Sequence, residues 1–187
     1  EILYKEIKST DIEIRRRVID MIKYVKDKYK FKEVMKQAMK DPDKKIRASV
    51  VKFLVNVSDR ELLLGFLKLL NDPDSRVRAN TIEAFATVGA EGSKVPVELL
   101  YQFLKDEDNR IRANAIMAIY QLGHREIIDE VDDMLLSKSE LMRASGVYAV
   151  GILKAKEKRK IINSMLDDSS ELVRKNIVVA LYKIGEE

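Results

Sequence analysis

Few residues in this sequence could make or break bonds. Its one histidine, His124, is followed by Arg125, and it contains no cysteine. A lone imidazole cannot build a multi-histidine metal centre, and without cysteine there is no thiolate nucleophile, thiolate ligand or disulfide. His124 directly follows Gly123, so it reads as a solvated turn residue at the start of a helix. Acids are plentiful, with Asp129, Glu130, Asp132 and Asp133 crowded on one helix. Paired carboxylates catalyse when a pocket drives their pKa values apart; on an outer helix beside water these four read as a solvated face. The segment GAEGSK (Gly89–Lys94) has the glycines and lysine of a phosphate loop at the wrong spacing, and it follows a helix rather than a strand. Its Gly-x-x-Gly would suit a nucleic-acid clamp only inside a mixed α/β domain. It reads as a linker. No catalytic residue, metal site or cofactor is expected.

The elements that position these residues repeat along the chain. DPDKKIRASVVKFLVNVS (41–58), DPDSRVRANTIEAFATVG (72–89) and DEDNRIRANAIMAIYQLG (106–123) superimpose without gaps, and looser copies occupy 9–26, 137–154 and 168–185. The anchor arginines Arg15, Arg47, Arg78, Arg112, Arg143 and Arg174 are spaced by 32, 31, 34, 31 and 31 residues, the period of a two-helix repeat. The longer third spacing, leading into the fourth unit, falls in the loop Gly89–Val95. Counting each arginine as position 0, apolar residues recur at −1, +3, +4, +7 and +10, one stripe of a helix at about 100° per residue. Asp11, Asp43, Asp74, Asp108, Ser139 and Ser170, each at −4, are good N-caps, and Gly89, Gly123 and Gly185 at +11 suit a left-handed C-cap. A second amphipathic stretch precedes each later helix: 29–39, 59–70, 96–104, 125–136 and 156–166. Nothing reads as a strand. The expectation is an all-α solenoid, a right-handed superhelix of about six helix pairs with the first pair truncated. It forms a single domain with units at about 1–28, 29–58, 59–89, 90–123, 124–154 and 155–187.

The DPD turn, the Val/Ile-Arg pair and the small and apolar residues that follow resemble the HEAT repeat, and the short unit is similar to the prokaryotic subtype shared with phycobilisome lyase subunits. The resemblance covers residues 9–185 and speaks for fold, because such arrays serve unrelated functions. It implies a ladder between neighbouring repeats in which Asp41, Asp72, Asp106 and Asp168 meet Arg47, Arg78, Arg112 and Arg174. Ser137 and Ser139 break the pattern in the fifth unit, where a bend or looser junction is expected. HEAT-like iron hydroxylases need several His-Glu pairs and HEAT-like DNA glycosylases a Trp-lined cleft; this sequence has neither. Nor does it offer a cysteine for bilin-lyase chemistry. The resemblance therefore points to a non-enzymatic interaction scaffold.

In such a repeat the second helices line the concave face, and the direction opposite the apolar stripe falls near +5. That column runs Asp20, Lys52, Glu83, Met117, Tyr148, Val179, charged in the first half and apolar in the second; Tyr120, Ile152 and Tyr182 follow at +8 or +9. An apolar patch at nominally exposed positions marks an interaction site. The +2 column holds Ser49, Asn80, Asn114, Ser145 and Asn176. In the related armadillo repeats an asparagine ladder holds an extended peptide, which implies Asn80, Asn114 and Asn176 as polar guides. The expected function is binding of a partner protein or peptide through Met117, Tyr120, Tyr148, Ile152, Val179 and Tyr182.

The alternative rests on charge. Residues 1–60 carry 17 Lys+Arg against 10 Asp+Glu, whereas 61–187 carry 18 against 21. A basic patch of Arg16, Arg17, Lys23, Lys30, Lys44 and Lys45 would attract nucleic acid or an acidic partner. It is lysine-heavy, and phosphate recognition favours arginine interleaved with aromatics. The longest uncharged stretch, Ala113–His124, is twelve residues, short of the roughly 18 a membrane span requires, so no membrane insertion is expected, and the absence of cysteine favours the cytoplasm. Glu1–Lys8 reads as the remnant of an outer helix, and Ile177, Val178, Leu181 and Ile184 as a face without a following repeat, the pattern of a domain cut from a longer protein.

Overall fold

The computed structural model describes residues 1–22, 24–25, 31–53, 60–90 and 96–185. It contains two compact units, Glu1–Val95 and Pro96–Glu187, and the division falls in the long third spacing. The first unit contains α1 (Ile2–Glu6), α2 (Ile12–Ile22), α3 (Lys32–Ala38), α4 (Lys44–Val50), α5 (Arg60–Lys68) and α6 (Ser75–Ala90). The second contains α7 (Glu98–Tyr101), α8 (Asn109–Gln121), α9 (Val131–Leu135), α10 (Glu140–Leu153), α11 (Arg159–Ser164) and α12 (Glu171–Gly185). No strand occurs among the described residues. The fold is all-α, of the α-solenoid class, with odd-numbered outer helices alternating with even-numbered second helices.

The second helices start where the sequence expects, because side chains satisfy their first amides. Asp43 accepts from the amides of Lys45 and Ile46 at 2.8 and 3.3 Å, and Asp108 from those of Arg110 and Ile111 at 2.9 and 3.2 Å. Asp11, Asp74 and Ser139 do the same. The outer helices lack such caps at Phe31, Val97, His124 and Ala155. They are correspondingly shorter than expected: 125–136 divides into a 3₁₀ segment, Arg125–Glu130, followed by α9, and 156–166 likewise begins as 3₁₀ at Lys156–Lys158. Of the three glycines expected as C-caps, Gly123 adopts φ +105°, while Gly89 and Gly185 lie within α6 and α12. At the equivalent +11 position of the fifth repeat, Lys154 itself takes the left-handed conformation, with φ 51°.

The stripe forms the core. In the third repeat Val77, Thr81, Ile82 and Phe85 are fully buried, Thr81 by donating its hydroxyl to the Val77 carbonyl, and Phe85 stacks on Phe66 of α5. Ile111, Ile116, Val147, Val173 and Ile177 do the equivalent work in the second unit. Of the four residues read as an open end face, Ile177 and Ile184 are buried within their own repeat, and Val178 is 65% exposed.

The expected ladder is present in part and joins consecutive repeats: Arg47 forks as expected, whereas the other two forks start from Arg15 and Arg143, which lie outside the expected set. Arg15 forks onto Asp41 (2.8 and 3.1 Å), Arg47 onto Asp72 (2.7 and 2.9 Å) and Arg143 onto Asp168 (2.7 and 2.9 Å). The remaining nitrogen of each donates to the two carbonyls that open its own repeat, such as Ser137 and Lys138 for Arg143. These are bidentate, mostly buried pairs, the geometry for which a planar guanidinium suits and an ammonium does not. Arg78 and Arg174 keep the two carbonyl bonds of their own turns. At the fifth repeat, where Ser137 replaces the aspartate, Arg112 reaches sideways to Asp133 at 3.2 Å, and its buried Nε has no hydrogen-bond partner among the described residues.

Candidate functional site

Positions at +5 point away from the stripe, and Asp20, Lys52, Glu83, Tyr148 and Val179 are all exposed, with Met117 half-buried. In the second unit α10 and α12 bring Tyr148 (52% exposed) and Val179 (53% exposed) together on one shallow cleft, with Val147, Gly151, Asn176 and Lys183. The helices approach closely there because Gly151 has no side chain: a Cβ at Gly151 would lie 2.9 Å from the Cα of Ala180. Met117, Tyr120 and Ile152 are half-buried and lie outside that cleft. The Tyr120 ring is occupied by the Arg125 guanidinium, 5.8 Å from its centroid.

Tyr182 belongs to a different surface from the one expected. It shares the +8 column with Gly151, and Gly151 packs on the next repeat's Ala180. Tyr182, 68% exposed, therefore sits on the stacking side of α12. So does Val178, whose +4 equivalents Val51, Ile116 and Val147 are fully buried.

The asparagines also bear on stacking. Asn176 donates its amide to the Ala144 carbonyl at 2.9 Å, and Asn80 donates to Ala48 at 3.3 Å, each reaching the helix of the preceding repeat. At the same column Ser145 accepts from Asn109 at 2.5 Å. Asn114 likewise has a partner. An amide that donates one N–H to the scaffold keeps its second N–H and its carbonyl oxygen for a ligand, but the first task of Asn80 and Asn176 is to fasten repeats together.

The basic patch resolves into separate parts. Arg16 pairs with Glu13 (2.7 Å) and Lys44 with Asp74 (3.0 Å), the latter holding the Asp74 carboxyl below its ordinary value. Lys23 and Lys30 lie outside the described residues. Arg17 and Lys45 instead line a cleft of about 490 Å³ across α2, α4 and α6, together with Glu13, Arg16, Asp20, Ser49, Lys52, Arg76 and Asn80. Lys52 and Arg76 are absent from the sequence-based patch. The only signal for them is register: Arg76 shares the −2 column with Lys45, and Lys52 lies in the +5 column.

The acids on the fifth outer segment lie on a solvated face, as read, and are in addition paired with lysines. Lys105 donates to Glu130 and Asp133 (3.0 and 2.9 Å) from one side, and the buried Lys158 donates to Asp129 and Asp132 (2.8 and 3.0 Å) from the other. Burial alone would lower the Lys158 pKa, but its two carboxylate bonds outweigh it and the net value is raised; Lys105 holds Asp133 below its ordinary value. These shifts stabilise charged forms. They set no acid against a base. His124 precedes the 3₁₀ segment with Nδ1 3.6 Å from Glu126. Of the Gly89–Lys94 segment, Gly89 and Ala90 end α6 and 91–94 lie outside the described residues. No helix among the described residues is long and apolar enough to cross a membrane.

Solved structures to which the chain is similar include the following. An engineered protein matches with a TM-score of 0.55 at 18% identity, covering 98% of this chain and 95% of its own. A designed armadillo repeat protein in complex with the peptide (KR)4 matches at 0.52 and 15% identity, covering 98% of both chains. The complex of CpcE and CpcF of phycocyanin lyase from Nostoc sp. PCC7120 matches at 0.49 and 14% identity, covering 97% and 93%. At such identities the first two likenesses are ones of fold alone. No curated protein matches the sequence. The family model for HEAT repeats matches residues 1–86 and 63–151, the same stretch in which the arginine forks and capped second helices recur, and the chain belongs to the HEAT-repeat family.

Proposed function

We propose that the chain is a non-enzymatic scaffold that holds a partner protein or peptide on the second-helix face of Pro96–Glu187. The observation that carries this reading is the pair Tyr148 and Val179, large apolar side chains about half exposed on adjacent helices and bounding one cleft. Tyrosine suits an interface core because it buries a large ring while keeping a hydroxyl for the rim. The half-buried Met117 extends the same column. The fold is one of repeat scaffolds, and the designed armadillo relative in complex with a peptide supports peptide binding as a use of this architecture. A cytoplasmic setting fits a chain without cysteine.

The test is a pull-down comparing the wild-type chain with Tyr148→Ala/Val179→Asp, with nuclease treatment and a salt series. A protein retained by wild type, lost by the variant at unchanged helicity and indifferent to nuclease is the expected outcome. Retention equal for both proteins would overturn the reading.

A further inference from the structure

We propose that the cleft across α2, α4 and α6 binds an extended acidic peptide carrying a carboxylate at about every third residue. Three cations from three successive repeats, Arg17, Lys45 and Arg76, line this cleft of about 490 Å³. All three are exposed, and none has an ion-pair partner among the described residues. The contrast with their neighbours is informative: Arg15, Arg47, Arg16 and Lys44 are each committed to a carboxylate of the scaffold. Lys52 adds a further positive charge to the wall.

The spacing selects the shape of the ligand. Packed helices lie about 8–10 Å apart, and an extended chain advances about 3.3 Å per residue. One carboxylate per repeat therefore means about one acidic residue in three. Ser49 and Asn80, small polar residues that also line the cleft, leave room for a backbone, and the Asn80 carbonyl oxygen can accept from a peptide amide while its NH₂ holds Ala48.

Charge sign within the cleft separates peptide from nucleic acid. Glu13 and Asp20 also line the wall, where they would repel a continuous row of phosphates but can face the neutral residues between a peptide's acids. Among the described residues that line the cleft none is aromatic, so they offer no stacking platform of the kind that single-stranded nucleic acid uses. Arg17 and Arg76 can each take a carboxylate bidentately. This inference concerns the first unit and is independent of the Tyr148 face.

The experiment uses the whole chain and a fluorescein-labelled peptide of Glu-Gly-Ser repeats, read by anisotropy. Two further probes are a peptide of the same composition with its glutamates clustered, and a single-stranded oligothymidylate. Wild type binds the spaced peptide more tightly than the clustered one and more tightly than the oligothymidylate. Arg17→Ala/Arg76→Ala lowers the affinity about tenfold or more, and Tyr148→Ala leaves it unchanged. Lys45→Gln repeats the loss in smaller degree and serves if the double variant loses helicity. Tighter binding of the oligothymidylate, no preference for the spaced peptide, or equal affinity in well-folded cleft variants would each overturn the proposal.

Discussion

Arg112 meets Asp133 through a single bond of 3.2 Å, where each fully forked rung of the ladder makes two. The missing partner is the carboxylate that Ser137 does not supply, and Arg112 Nε is left buried without a bond among the described residues. Because the guanidinium is already desolvated, a carboxylate added in front of it should gain more than it costs. Ser137→Asp is therefore expected to stabilise the chain by about 1–2 kcal/mol, measured as an increased urea midpoint at unchanged m-value. No gain would mean that Asp133 already serves as the full substitute.

The intact rung at Arg143 and Asp168 predicts an acid limb. The hydrogen bond from Arg143 is the main cause that lowers the Asp168 pKa. A depressed carboxylate contributes stability that is complete above its unfolded pKa, about 3.9, and is lost as pH falls through the lower folded value. Asp168→Asn should cost about 1–3 kcal/mol at pH 7 and flatten the loss of stability below about pH 4. Thermal melts followed by circular dichroism across that range read both effects.

Lys158 gives the opposite limb. Its raised pKa means a contribution complete below the unfolded value of about 10.4 and lost as pH rises through the folded one. Of its carboxylate partners, Asp129 is 80% exposed and Asp132, at 44%, buries one oxygen, so most of the pair's hydration survives removal of the lysine. Lys158→Met, which keeps the buried stem, should thus change stability by under about 1 kcal/mol at pH 7 and remove its share of the alkaline decline expected of wild type. Lys158→Ala, which also leaves a cavity, should cost about 2 kcal/mol. Urea midpoints at neutral and alkaline pH distinguish the two variants.

Gly151 sets how closely α10 and α12 approach. An added methyl would meet the Ala180 backbone at 2.9 Å, and a backbone atom cannot rotate aside. Gly151→Ala should cost about 1–3 kcal/mol despite the better helix propensity of alanine. A stabilised variant in chemical denaturation would show that the helices slide apart freely.

Much of this architecture is legible in the sequence because its cause is local. Asp43, Asp74 and Asp108 cap helices through bonds to amides two or three residues ahead, so the −4 column shows them directly. Tyr148 and Val179 are likewise exposed because +5 lies opposite a stripe readable within one helix. Contacts made between repeats are a different matter. Tyr182 is read as groove-lining because a helical wheel does not say which flank the next repeat covers; only the packing of Gly151 on Ala180 assigns the +8 column. Arg76 and Lys45 stand 31 residues apart in sequence and become neighbours on one cleft only through stacking. The outer helices are misread in length for a third reason: an amphipathic pattern does not distinguish α from 3₁₀ where no side chain caps the start, as at His124 and Ala155.

The arginine forks also give the array a direction. Each guanidinium is aimed by two carbonyls of its own turn, as Arg143 is by Ser137 and Lys138, before it grips the aspartate that opens the following repeat. A repeat can therefore prepare its socket unaided, whereas the aspartate it receives belongs to the chain still to come. Growth from the amino end meets a preformed receptor at each forked junction, and growth from the carboxyl end meets a carboxylate with nothing yet to hold it. Such a chain is suited to being built in the order in which it leaves the ribosome.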